Sequence, residues 1–97
     1  MRIVWGKILP GKWAEFEAAF KTAMANRGDV KGLTSHWLAR DQNDPNAGYS
    51  VTLWANDSDM RTFWDSPQRK AVMASLEPFY VNQFTTMHCE VRYALNA

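Results

Sequence analysis

The chain has 97 residues, and 11 Lys and Arg against 10 Asp and Glu leave a net charge of +1. That length predicts one domain over residues 1–97, and interspersed charges without a basic stripe exclude an electrostatic surface for nucleic acid or anionic membrane. A single cysteine, Cys89, excludes an internal disulfide and CxxC metal spacing, while five tryptophans in so short a chain call for a cavity or an interface to hold them.

Arg2–Ile8 is rich in β-formers and ends at Pro10-Gly11, a turn signal. The period then changes: Trp13, Phe16, Phe20 and Met24 fall on one helical face, and Glu17 precedes Lys21 by four residues as a favourable surface pair. Gly28 is placed to stop this helix. Gly32–Asp41 alternates again, with Leu33, Ser35, Trp37 and Ala39 on one side and Thr34, His36, Leu38 and Arg40 on the other. Asp41–Gly48 is turn chemistry throughout, so Tyr49–Ala55 returns as an antiparallel neighbour. Asn56 and Asp57 are good caps for a short helix through Met60, Phe63 and Trp64. Ser66-Pro67 restarts it, and Pro78 ends it near Glu77. Thr85–Ala94 alternates as the last strand.

The order β-α-β-β-α-β predicts an α+β, ferredoxin-like split βαβ fold, with two helical regions on one face of a four-stranded antiparallel sheet in the order 4-1-3-2. The more apolar sheet face (Ile3, Trp5, Leu33, Trp37, Val51, Leu53, Cys89, Val91) is expected to carry the helices. The mixed face (Val4, Thr34, His36, Leu38, Thr52, Trp54, His88) would then stand in water, which predicts a homodimer through that face.

The two histidines lie on opposite edge strands, so three strand spacings of ~4.8 Å separate them by ~14 Å and no metal site within one subunit can use both. Cys89 alternates with His88, which breaks any thiol–imidazole pair and reads as a buried, inert thiol. No Gly-rich phosphate loop is present. No apolar run approaches the ~20 residues of a membrane span and no leader-like segment opens the chain, which predicts a cytoplasmic protein.

Ile8-Leu9-Pro10-Gly11-Lys12 before Glu15-Phe16, the run Tyr49-Ser50-Val51-Thr52-Leu53-Trp54, then Phe63-Trp64-Asp65-Ser66-Pro67 and Leu76-Glu77-Pro78-Phe79 together resemble the antibiotic biosynthesis monooxygenase family of the dimeric α+β barrel superfamily. The resemblance covers essentially the whole chain. It implies a homodimer whose eight strands form a barrel, with a pocket in each subunit between sheet and helices. It also implies oxidation of a small aromatic, phenolic or quinol substrate by dioxygen without a cofactor, because an electron-rich phenolate can itself reduce oxygen.

The catalytic candidates are His36, His88, Trp64 and Tyr80. Trp5, Trp37, Phe63, Trp64, Phe79 and Tyr80 are the substrate-binding candidates, with Tyr49 and Arg92 as further polar partners. Many family members carry an acidic residue at the position of Thr52 and a histidine near Phe63; this chain has neither. The alternative function is a non-catalytic dimer that holds a small apolar ligand. Haem binding or degradation is less supported, since no histidine lies between residues 37 and 87 and no asparagine lies on the first strand.

Overall fold

The computed structural model describes residues 1–96. The elements in chain order are β1 (Arg2–Ile8), α1 (Trp13–Arg27), β2 (Leu33–Arg40), β3 (Ala47–Trp54), α2 (Asp57–Trp64) and α3 (Pro67–Leu76). A 3₁₀ turn (Glu77–Phe79) then leads into β4 (Tyr80–His88). The strands form one antiparallel, open sheet in the order β2-β3-β1-β4, so the ferredoxin-like α+β arrangement read from the periodicities holds.

The helix boundaries follow local chemistry. Gly28 adopts φ 71°, a left-handed conformation that ends α1, and its N–H donates to the Met24 carbonyl at 3.3 Å. Asn56 Oδ1 accepts from the Asp59 N–H at 2.8 Å and caps α2, while Ser66 Oγ accepts from the Arg69 N–H at 3.1 Å and caps α3 ahead of Pro67. The expected Glu17–Lys21 pair forms at 3.2 Å on the solvent side of α1.

The face assignment is the main correction. Ile8 ends β1 buried, and the short turn through Pro10-Gly11 forces α1 to fold back over the side to which Ile8 points. Strand parity then carries Arg2, Val4 and Gly6 to that side, together with His36, Leu38, Ser50, Thr52 and Trp54 on the neighbouring strands. The mixed face therefore lies beneath the helices and cannot be the dimer surface. The apolar face, with Trp5, Trp37, Val51 and Leu53, is the uncovered one, and Trp37 is 51 % exposed.

The dense core sits at the Ile8 end, where Ile8, Trp13, Phe16 and Leu76 pack with Phe20, Leu38, Val72, Phe79 and Tyr80. The Trp13 indole lies directly on Gly48, where a Cβ would sit 2.6 Å from the ring. At the opposite end the layers part.

Two further expectations are corrected at the chain's C-terminal side. The last strand begins at Tyr80, not Thr85, because the 3₁₀ turn delivers the backbone straight onto β1: the Leu9 N–H donates to the Phe79 carbonyl at 2.8 Å. It ends at His88. Asn82 at φ 59° lies in the irregularity where the four-residue step from Tyr80 to Phe84 stands against the two-residue step from Ile8 to Gly6; Tyr80 and Phe84 both face the helices, their rings 5.2 Å apart and edge to face. Cys89 pairs its backbone with Met1 and is exposed, not buried.

Candidate functional site

Where the sheet and helices part they enclose a cavity of about 390 Å³, at the small end of the range that holds drug-sized ligands. Its floor is the even row of β1 with the matching residues of β2, β3 and β4; its walls come from α1, α2 and α3. Aromatic and aliphatic side chains supply most of the lining, including Phe20, Trp54, Phe63 and Phe84. The charged groups among the lining residues are Arg2, Arg27 and Arg69; no carboxylate lines it.

One transverse row organises the floor. His36 pairs with Thr52, Thr52 with Arg2, and Arg2 with His88, across all four strands. The two histidines thus stand at the two ends of the row, three spacings or ~14 Å apart, as expected. Among the described residues no cluster of three metal-ligating side chains occurs. No helix of the described residues is long and apolar enough to cross a membrane.

At the β2 end, Arg27 Nη1 lies 3.1 Å from His36 Nδ1, and His36 Nε2 lies 2.8 Å from Ser50 Oγ. A guanidinium can only donate, so His36 Nδ1 accepts and the proton resides on Nε2, which donates to Ser50. Burial, reinforced by the neighbouring Arg27, pulls the His36 imidazole down to about 4. At neutral pH it is an uncharged N–H donor with its basic nitrogen occupied. The Ser50 hydroxyl proton remains free to point into the cavity.

At the β1–β4 end, the Arg2 guanidinium carbon lies 2.9 Å from the Trp64 ring centre and that of Arg69 lies 3.3 Å from it. Two guanidinium groups cannot share one face at those distances, so they hold the indole between them. Arg2 is 7 % exposed, and its Nε has no hydrogen-bond partner among the described residues. Burial and, secondarily, the like charge of Arg69 pull Arg2 down to about 10. It therefore stays cationic at neutral pH. The ion pairs among the described residues are Lys7–Asp44, Lys21–Glu17 and Lys31–Asp59, so none neutralises these arginines.

Of the expected site residues, His36, Phe63, Trp64 and Tyr80 meet around this cavity, and Tyr49 borders it. Burial raises the Tyr80 hydroxyl above its ordinary range, with Arg69 opposing, so Tyr80 is a proton donor and not a base at neutral pH. Trp5 and Trp37 lie on the other side of the sheet, because each alternates with cavity-facing neighbours. Phe79 packs against Phe16 in the core at 6.0 Å. His88 is exposed at the far edge, beside Cys89 in a second, more open cavity that Arg2 and Trp64 also line, and Arg92 lies beyond the end of β4. The sequence reading missed Arg2, Arg27, Ser50, Thr52 and Arg69. One signal was available: an arginine in step with Val4 and Ile8 on a central strand is a charge at a core position.

The antibiotic biosynthesis monooxygenase family model matches residues 6–75, well over half of the chain. No curated protein sequence matches it. Among solved structures, SnoaB from Streptomyces nogalater, a cofactor-independent oxygenase, superposes with a TM-score of 0.74 at 18 % identity, covering 93 % of this chain and 91 % of that one. A Caulobacter crescentus protein that carries the family's name superposes with a TM-score of 0.77 at 21 % identity, covering 89 % of this chain and 82 % of that one. A Nitrosomonas europaea protein of the same name gives 0.79 at 11 % identity, covering 95 % and 97 %. These superpositions establish a shared fold, and the family match spans α1, β2, β3, α2 and most of α3 and ends before β4. The chain belongs to the antibiotic biosynthesis monooxygenase family.

Proposed function

We propose that this protein is a cofactor-independent monooxygenase that oxidises a small phenolic or quinol substrate with dioxygen inside the cavity. The observation that carries this reading is an aromatic enclosure whose charged lining groups are arginines with no carboxylate among them. Such a site lowers the pKa of a bound phenol, because positive charge in a partly desolvated space favours the anion. The phenolate is the reactive form, since it is electron-rich enough to pass electrons to dioxygen.

Each group in the site then has a task. The aromatic walls orient the ring and keep water from intermediates. The Ser50 hydroxyl, held by the neutral His36 that Arg27 fixes, donates to the substrate oxygen. No base is required of His36; the proton leaves to solvent because the arginines have already lowered its affinity. The substrate supplies all the electrons: in an anthrone-like phenol a ring methylene becomes a carbonyl, its two hydrogens leave in water, and one oxygen atom stays in the product; in a hydroquinone a ring C–H becomes C–OH, the two hydroxyl hydrogens leave in water, and the ring becomes a quinone. Oxygen uptake with a panel of hydroquinones and anthrone-like phenols in chelator-treated buffer tests this. Uptake by at least one class supports it, and a flat trace across the panel contradicts it.

A second reading is favoured by one observation. The only imidazole in the cavity has its basic nitrogen occupied, so the site can also hold an aromatic ligand without reacting it. Ligand-induced quenching of tryptophan fluorescence without turnover of any panel member is the outcome that reading expects.

The working unit we propose is a cytoplasmic homodimer formed through the uncovered sheet face. Trp5, Trp37, Val51 and Leu53 lie there, and leaving that surface in water is costly. Sedimentation of the native chain and of Trp37→Lys tests it: a dimer that the substitution dissociates is expected, and a native monomer overturns it.

A further inference from the structure

The cavity has two polar poles, and only one of them hydrogen-bonds the phenolic oxygen in the proposed chemistry. The Arg27–His36–Ser50 chain serves a phenolic oxygen at the β2 end. At the β1–β4 end, two guanidinium groups flank one indole within roughly 6 Å of each other, and no described carboxylate pairs with either as a salt bridge. Asp65, one turn from Arg69, favours the charged form of Arg69 from the solvent side and does not line the cavity. Arg2 is the stronger observation: a residue 7 % exposed, with its buried Nε aimed at no acceptor among the described residues. Buried cations of this kind are paired or hydrogen-bonded in finished sites. The Thr52 hydroxyl faces Arg2 across the β1–β3 pair; it accepts from Trp54 Nε1 at 2.9 Å, so its own proton is free to donate. A guanidinium edge and a neighbouring hydroxyl make a carboxylate cradle.

We infer that the ligand of this cavity carries a fixed anionic group, a carboxylate or sulfonate on its aromatic frame, and that Arg2 with Arg69 holds it at the β1–β4 end. The inference rests on the proposed placement of the aromatic ring and adds the substrate class. His36 and Arg2 are two strand spacings apart on the floor row, roughly 10 Å. A ligand that reaches both poles therefore bears its acid at the end remote from the phenolic oxygen. A sulfonate and a carboxylate share this chemistry, as both accept from a guanidinium edge through two oxygens.

Equilibrium binding without oxygen separates this from the oxygenase reading. Benzoate, 2-naphthoate and anthraquinone-2-carboxylate are each titrated against the native protein beside their uncharged carboxamides, followed by tryptophan fluorescence and calorimetry, with anthraquinone-2-sulfonate as the second anion. At least one acid is expected to bind ten-fold or more tightly than its amide. Arg2→Gln is expected to abolish that preference while leaving the affinity for the amide within about two-fold, and raising the salt concentration is expected to weaken the acid alone. Arg69→Gln, at a half-buried position on α3, is expected to cut the preference partially. Equal binding of acid and amide by the native protein overturns the inference, as does absence of saturable binding by every acid. So does a preference that survives both substitutions. Binding of acids without turnover of any phenol leaves this inference standing and removes the oxygenase. Turnover of neutral phenols with no preference for acids does the reverse.

Discussion

Replacing Arg2 by methionine tests whether its charge serves a ligand or the fold. A charge that serves the fold has a partner whose loss destabilises; Arg2 has none among the described residues for its Nε. Burial, with the like charge of Arg69 behind it, pulls its guanidinium down to about 10, and at ~1.36 kcal/mol per unit the charged form is disfavoured by at most ~3.4 kcal/mol. Water reaching the group through the open cavity and the share due to Arg69 reduce this to roughly half. Loss of the stack on Trp64 costs ~0.5–1 kcal/mol in the other direction. The net expectation for Arg2→Met is a gain of about 1 kcal/mol, or roughly 4–8 °C in Tm for a chain of this size. The folded-state value is depressed, so the penalty is complete at every pH below about 10 and is relieved only as pH rises from there toward the ordinary arginine range. A melt at pH 7 followed by circular dichroism is therefore the assay, paired with binding of an aromatic carboxylate. A more stable protein that no longer prefers the anion is expected. A fall of several degrees in Tm would refute the reasoning, because it would mean that Arg2 holds the fold together.

His36 gives a pH dependence. The folded protein resists protonating it down to about 4, whereas the unfolded chain takes a proton near 6.5, so stability falls as pH drops through that window. The limit is ~3.4 kcal/mol and solvent access to the half-buried ring brings it to ~1–2 kcal/mol; denaturant melts of His36→Gln are expected to lose this acid slope. Ser50→Ala removes one donor to the substrate oxygen and is expected to cut turnover about tenfold, the size of one hydrogen bond, and to lower Tm by a few degrees because the His36 Nε2–H loses its acceptor; an unchanged rate argues against the Ser50 role. Gly48→Ala places a Cβ 2.5 Å from the Ala39 carbonyl and 2.6 Å from the Trp13 ring, and urea melts are expected to register a loss of roughly 1–3 kcal/mol.

The topology was legible because each element carries its own periodicity and punctuation. Pro10-Gly11, Gly28, Asn56 and Ser66-Pro67 all act where their chemistry placed them. The strand faces were not legible by the rule that places the more apolar face under the helices. In this chain that rule inverts. The covered face needs Arg2, His36, Ser50 and Thr52 for a polar cavity floor, while Trp5 and Trp37 occupy the uncovered face. Ile8 was the better guide, since a short turn must fold the following helix over the side to which the strand's last buried residue points. His36 and Trp64 could be singled out from residue type alone. Their partners could not, because Arg27 reaches His36 from a helix end and Arg69 meets Arg2 only through the indole of Trp64. The early start of β4 was hidden by Pro78, which reads as an interruption and here forms a 3₁₀ turn directly into the strand.

The central claim is that a substrate anion, held in the arginine-lined cavity, itself reduces dioxygen. Isotope-labelled dioxygen supplied to the native protein with an anthrone substrate, in chelator-treated buffer and beside a protein-free control, tests it most directly. One labelled oxygen atom per product molecule, in the new carbonyl, formed faster than in the control and lost in Trp64→Ala, is the result expected. Product formed at the control rate, or product carrying oxygen from water, contradicts the account.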